Sequence, residues 1–190
     1  MSERPILMNT DMVRAILEGR KTVTRRVIKP QPDGRPVRMA ESSCYPDCFA
    51  IEGTSKVVRP PYQPGDILWV RETWCESLGQ AGKYFYRAYA GPRDEMREYA
   101  HSFNRWRPSI HMPRAAARIF LRVTDVRVER LQDCGNMQAK DEGCTCSSQF
   151  VRLWDSTVKP ADRAAFGWDA NPWVWVISFE RISKEDIYGT

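Results

Sequence analysis

The order of apolar and polar positions divides this chain into short elements. Pro5 to Asn9 is a brief apolar run, read as an edge strand. From Asp11 the pattern turns helical. Met12, Val13, Ile16 and Leu17 fall on one face, and Asp11, Arg14 and Glu18 fall on the other. Asn9 or Thr10 stands ahead of that run as an N-cap. Gly19 stands where the helix must stop, because glycine tolerates the left-handed C′ conformation. Thr22, Val23, Thr24, Val27 and Ile28 are β-branched, so a strand is predicted to leave the helix directly.

Beyond Ile28 the periodicity lapses. Residues 29–64 hold seven prolines and are read as a long irregular insertion. The turn Pro64-Gly65-Asp66 leads into a buried strand, Ile67 to Val70, continuing to Trp74. Lys83 to Ala90 predicts another strand, and residues 91–114 a second irregular insertion. Ala117 to Leu131 alternates well, through Ile119, Leu121, Val123, Val126 and Val128, as one long strand or two with a bulge. Met137 to Glu142 suits a short polar helix, and Gln149 to Val158 a helix or helical turns. Trp173 to Phe179 is a strongly apolar closing strand. The sum is about six strands and two or three short helices. Turns, not regular crossover helices, separate the strands, so an α+β fold with a mixed or antiparallel sheet is expected. Closing that sheet into a barrel would remove its exposed edges. Both insertions fit inside one domain spanning residues 1–190.

Composition changes this picture little. The chain has 190 residues with 42% hydrophobic content, enough for one domain with a true core. A net charge of +5 permits a polyanionic partner without demanding one. The polar start, Met1-Ser2-Glu3-Arg4-Pro5, has no secretory h-region, and no apolar run approaches membrane-spanning length. A soluble, cytoplasmic protein is therefore expected. The six cysteines include two close pairs, Cys44 with Cys48 and Cys144 with Cys146. Neither pair has the two-residue spacing of a zinc ribbon, so free thiols are the main expectation and a structural zinc the minor one. No cofactor or metal is expected.

One segment carries most of the candidate chemistry. Gly19-Arg20-Lys21-Thr22-Val23-Thr24-Arg25-Arg26 follows the amphipathic helix at once. By itself it also describes a solvated basic strand. Its order, however, resembles the signature of the ASCH family: a Gly, a Lys two on, a Thr three further, then an Arg. Pro64 to Trp74 resembles that family's second landmark, a Gly-Asp turn feeding a central strand, and Ile177 to Glu180 resembles its closing strand. Trp106 to Pro113 and Gly167 to Trp173 resemble the longer members found in phages and prophages. The resemblance covers roughly Pro5 to Arg181. It implies a PUA-like β-barrel with a cleft beside the signature, and a modified nucleoside or RNA as partner. Some small bacterial members hydrolyse the amide of N4-acetylcytidine with a Lys, a Thr and a Glu. Those roles carry over to Lys21, to Thr24 and, through the pattern Ala139-Lys140-Asp141-Glu142-Gly143, to Glu142.

The chemistry is coherent. A threonine hydroxyl needs a base, and a lysine serves as one when desolvation or a neighbouring cation lowers its pKa. Arg20, Arg25 and Arg26 are the available cations, and Glu142 could pass a proton to the departing amine. Arg26 is a candidate for binding a phosphate, the ribose or an oxyanion. Gly19, Glu72 and Trp74 complete the expected substrate-binding set, although Glu72 equally suits a salt bridge with Arg71 or a lysine. Among the other tryptophans, Trp106 and Trp168 lie near turns, where a ring can stack on a base. His111 is read as a hydrogen-bonded structural histidine and His101 as solvated. The alternatives to an amidohydrolase are a non-catalytic RNA-binding module and a ribonuclease. One geometric demand stands out. In a regular strand Lys21 and Thr24 point to opposite faces, so the backbone from Gly19 to Thr22 must still be turning if both serve one site.

Overall fold

The computed structural model describes residues 2–41, 43–89 and 105–189. In chain order the elements are β1 (Glu3–Leu7), α1 (Thr10–Leu17), β2 (Val23–Val27), β3 (Pro36–Arg38), β4 (Phe49–Ile51) and β5 (Val57–Val58). There follow β6 (Ile67–Arg71), β7 (Trp74–Glu76), β8 (Tyr84–Tyr86), β9 (Phe120–Arg130), α2 (Asn136–Asp141) and α3 (Ser147–Thr157). The last are α4 (Arg163–Phe166), β10 (Trp173–Ile182) and α5 (Glu185–Tyr188). Five strands hydrogen-bond in the order β1-β6-β9-β10-β2. β1 joins β6 in parallel, whereas β6 with β9 and β10 with β2 are antiparallel. The fold is thus α+β with a mixed sheet.

Among the described residues the sheet does not close into a barrel; β1 and β2 end its order. The edges are managed otherwise. β1 is mostly exposed and carries Glu3, Arg4 and Pro5, residues that discourage further pairing. β2 has its open edge bridged at Lys21 by Glu142. No helix among the described residues is long and apolar enough to cross a membrane.

The chain forms two compact units. The first comprises Met1–Gly19, Asp66–Arg122 and Glu180–Thr190, and the second Arg20–Gly65 and Val123–Phe179. In the first, Ile67, Trp74, Met112, Ala116 and Phe120 form a core, with Tyr84 and Tyr86 packed against it. In the second, Val23, Leu131, Cys134, Ala139, Phe150, Trp154, Val174 and Val176 form another, because α2, α3 and two strands turn their apolar sides together.

Several expectations change. Residues 29–64 are not irregular: β3, β4 and β5 make a small antiparallel sheet. Its strands are only two or three residues long, too short for alternation to register. The run from Ile67 to Trp74 is not one strand. β6 ends at Arg71, and Trp74 starts β7, which pairs with β8 in a separate two-stranded sheet. The Lys83–Ala90 strand shrinks to Tyr84–Tyr86, followed by a 3-10 turn at Arg87–Tyr89. The described part of the second insertion holds 3-10 turns at Ser109–His111 and Arg114–Ala116. His101 and the rest of that insertion lie outside the described residues.

Candidate functional site

The signature begins where α1 stops. Asn9 caps its start by accepting from the Met12 amide at 2.8 Å. Gly19 follows its end with φ of 73°. Lys21 precedes the regular strand, which starts at Val23. The backbone at Thr22 then defines two edges. The Thr22 carbonyl accepts from Phe179 N–H on the β10 side, and the Thr22 N–H donates to the Asp141 carbonyl on the other, each at 2.9 Å. The end of α2 therefore lies along the edge of β2 that faces away from β10.

Local sequence fixes the place of Glu142 at the end of α2. Ala139 is fully buried in the core of the second unit and sets the rotation of α2. Gly143 takes φ of 84° as the C′ residue. Its N–H donates to the Lys140 carbonyl at 2.8 Å and that of Cys144 to the Ala139 carbonyl at 2.9 Å. These two bonds are the Schellman closure of a helix end. The spacing Ala139-x-x-Glu142-Gly143 thus has a physical meaning: an anchor, a side chain delivered to the strand edge, and the left-handed residue that ends the helix.

The Lys21 ammonium has three partners: Val23 O at 2.7 Å, Glu142 O at 3.2 Å and Glu142 Oε2 at 2.5 Å. Its donors are then fully used. The other carboxylate oxygen, Oε1, accepts from Arg25 at 3.2 Å. Arg25 also donates to Glu129 at 3.2 Å, and Glu129 accepts from Arg127 at 2.6 Å. Thr24 Oγ1 accepts from Arg26, which also donates to the Arg25 carbonyl, both at 2.9 Å. Lys21, Thr24, Arg25 and Glu142 are all buried.

Burial lowers the Lys21 pKa, because it penalises the ammonium more than Glu142 stabilises it, and Arg26 adds to the lowering. Of the three arginines available to press on Lys21, Arg26 is the one whose charge adds to the lowering. Burial also lowers Arg26, opposed by Glu142 and by Tyr62. The thiols nearby are pushed up by burial, Cys134 to about 11 and Cys144 in the same direction.

Strand parity sorts the arginines. Val23 and Val27 face the core, and the Arg25 guanidinium stands 5.7 Å from the Phe150 ring centroid on the same side. Thr24 and Arg26 point the other way. Lys21, ahead of the regular strand, meets at the edge the same Glu142 carboxylate that Arg25 holds. The structure thus brings Lys21, Glu142 and Arg25 into direct contact, and Thr24 into contact with Arg26. Lys21 and Thr24 do not hydrogen-bond to each other.

The remaining expected residues lie in the first unit. Glu72 is 1% exposed, and both its oxygens accept from Arg118, at 2.8 and 2.9 Å. Its partner is therefore Arg118, not Arg71 or a lysine. Trp74 is buried in the core of that unit, against Tyr84, and not set at a turn for stacking. Gly19 is the last residue of that unit's first segment. His111, expected as a hydrogen-bonded structural histidine, is exposed, and its backbone N–H donates to the Pro108 carbonyl at 3.1 Å. All six cysteines are free, and among the described residues no group of three or more His, Cys, Asp or Glu is arranged to hold a metal.

Sequence reasoning missed the direct roles of Arg25 and Glu129. A signal for Arg25 was present: its parity matches Val23 and Val27, so a charge on the core face required a buried partner. Compared with family models, with curated proteins and with solved structures, the chain matches none.

Proposed function

We propose that this chain is an ASCH-type protein of the PUA-like barrel class that hydrolyses the amide of N4-acetylcytidine or a related N-acylated base, as a nucleoside or within RNA. One observation carries the reading. Lys21 and Glu142, the two residues that the resemblance pairs across 121 positions, meet in a buried contact of 2.5 Å. Nothing in local sequence requires that meeting.

In the proposed reaction Lys21 works as the neutral amine, a form its burial favours. It exchanges its bond to the Val23 carbonyl for one to the Thr24 hydroxyl and removes that proton. The Thr24 oxygen attacks the acetyl carbonyl carbon, and Arg26, already donating to Thr24, steadies the oxyanion. The tetrahedral intermediate collapses, the bond to the exocyclic nitrogen breaks, and the proton passes through Lys21 and Glu142 to the departing amine. Water then cleaves the acyl-threonine ester, giving acetate and restoring the hydroxyl.

The burial of Lys21, Thr24 and Glu142, each at 3% exposure or less, favours a second reading. There the ion cluster only staples the end of α2 to β2, and the protein binds RNA without cleaving an amide. The deciding experiment is incubation with N4-acetylcytidine, comparing wild type with Lys21→Ala and Thr24→Val. Cytidine formed by wild type and lost in both variants supports hydrolysis. No cytidine from wild type, together with salt-dependent affinity for single-stranded RNA, supports the second reading.

A further inference from the structure

The Gly-x-Lys-x-x-Thr-x-Arg order runs through Gly19, Lys21, Thr24 and Arg26 and passes over Arg25. The geometry does not pass over it. The Arg25 side chain is 1% exposed, deeper than that of any other arginine whose ion pair is described here. It divides its donors between two carboxylates from different elements: Glu142, at the end of α2, and Glu129, on β9. Glu129 is in turn held by Arg127 at 2.6 Å. Arg25 is thus braced from behind while it grips Glu142 Oε1 in front.

That grip has two physical consequences. A carboxylate free to turn about its last torsion could offer Lys21 either oxygen, or leave it. With Oε1 held, Oε2 is the oxygen that meets Lys21. The second consequence is electrostatic. Lys21 and Arg25 share one carboxylate, so the negative charge available to each is reduced. That sharing disfavours the protonated lysine.

We propose that Arg25 is a positioning residue for the Lys21–Glu142 pair: by holding Oε1 it fixes which carboxylate oxygen faces Lys21 and makes the two cations share one carboxylate. The other groups that bear on the pair are Arg26 and Cys144 toward Lys21, and Cys134 toward Glu142, with Tyr62 acting on Arg26. Arg25 differs from them in touching the carboxylate itself from the core face. The role deepens the hydrolase reading where catalysis is concerned, yet its test is independent of activity.

The test follows the Lys21 side-chain nitrogen by NMR through a pH titration of protein carrying nitrogen-labelled lysine, the signal assigned by its absence in Lys21→Arg. Arg25→Gln is expected to raise the Lys21 midpoint by roughly one pH unit, and Arg25→Lys to restore most of the difference. Glu129→Gln, which removes a negative charge and leaves Arg25 to draw harder on Glu142, should shift the midpoint downward and serves if Arg25→Gln fails to fold. An unchanged midpoint in folded Arg25→Gln, or in Glu129→Gln where the former does not fold, overturns the proposal. So does Arg25→Lys behaving no better than Arg25→Gln. With N4-acetylcytidine as substrate, the acid limb of the kcat profile should move upward by the same amount while KM stays constant. If wild type forms no cytidine, the hydrolase reading fails, and the titration still decides the role of Arg25.

Discussion

Glu142 in the second unit and Glu72 in the first are both buried carboxylates, 3% and 1% exposed, and both accept from arginine. Their surroundings differ in charge count. Glu72 meets one cation. Arg118 engages both of its oxygens in a fork and lies 4.1 Å from the Tyr86 ring and 3.9 Å from that of Tyr89. Glu142 meets two cations, one on each oxygen, with Arg26 near enough to feel its charge. In the first case burial raises the carboxylate's pKa, and Arg118 pulls it back. In the second the penalty falls on the amine: burial, with Arg26 adding to it, outweighs the attraction of Glu142, and Lys21 is lowered. A balanced fork makes a closed structural pair. A cluster that buries an amine lowers its pKa, a shift of the kind that favours chemistry.

Removing each carboxylate tests this contrast most severely. Glu142→Gln leaves Lys21 and Arg25 buried without their shared counter-charge and is expected to lower stability by about 3–5 kcal/mol in urea denaturation. A loss under about 1 kcal/mol would mean that the cations are not buried as charges. Glu72→Gln should cost less, about 2 kcal/mol, because the Arg118 side chain is 16% exposed and keeps its ring contacts. If the two variants lose equally, the distinction between fork and cluster is without energetic content.

The pH dependence of stability separates the regions by sign. For Glu72 the folded value is raised, so the native state holds the extra proton between the ordinary 4.5 and that value. Wild type should lose stability as pH rises through that window, and Glu72→Gln should not. For Lys21 the folded value is lowered, so the unfolded state holds the extra proton between it and the ordinary 10.5. Stability should therefore rise with pH there, and Lys21→Met should flatten the rise. Urea midpoints taken across pH read both slopes, and slopes of the same sign would contradict the contrast.

The smallest effect concerns thiols. Cys75 in the first unit and Cys134 beside Glu142 are both pushed by burial to about 11, so neither of these thiols is activated. Cys146 is brought down to about 7, through its hydrogen bond with Ser148 and with the Gln149 backbone. Its alkylation by iodoacetamide should rise with a midpoint near pH 7, while Cys75 and Cys134 stay unreactive in the folded protein. Equal labelling of all three by mass spectrometry would show that the buried thiols are not shielded as described.

Much of this was legible from local rules. Periodicity and caps placed α1, with Gly19 at its end and Asn9 or Thr10 at its start, of which Asn9 is the cap; alternation placed β9 as one long strand or two with a bulge, and it is one. The polar helix before Glu142 and the helix around Phe150 and Trp154 also appear where the pattern put them. The small sheet of β3, β4 and β5 was hidden, since such short strands are held by pairing and not by pattern. The partner of Glu72 was hidden for a related reason. Arg118 lies 46 positions away, and the nearer Arg71 offered an easier reading.

The sequence by itself determined where Lys21, Thr24 and Glu142 sit on their elements: just past a helix-ending glycine, inside a β-branched strand, and one residue before a second helix-ending glycine. These are matters of capping and side-chain parity, which act over a few residues. Only the tertiary structure decided that Glu142 lies on the open edge of β2, that Arg25 shares it with Lys21, and that Thr24 turns to Arg26 instead. The reason is that burial and charge partners depend on which elements converge at a site, and here burial outweighs the attraction of Glu142 and lowers the lysine.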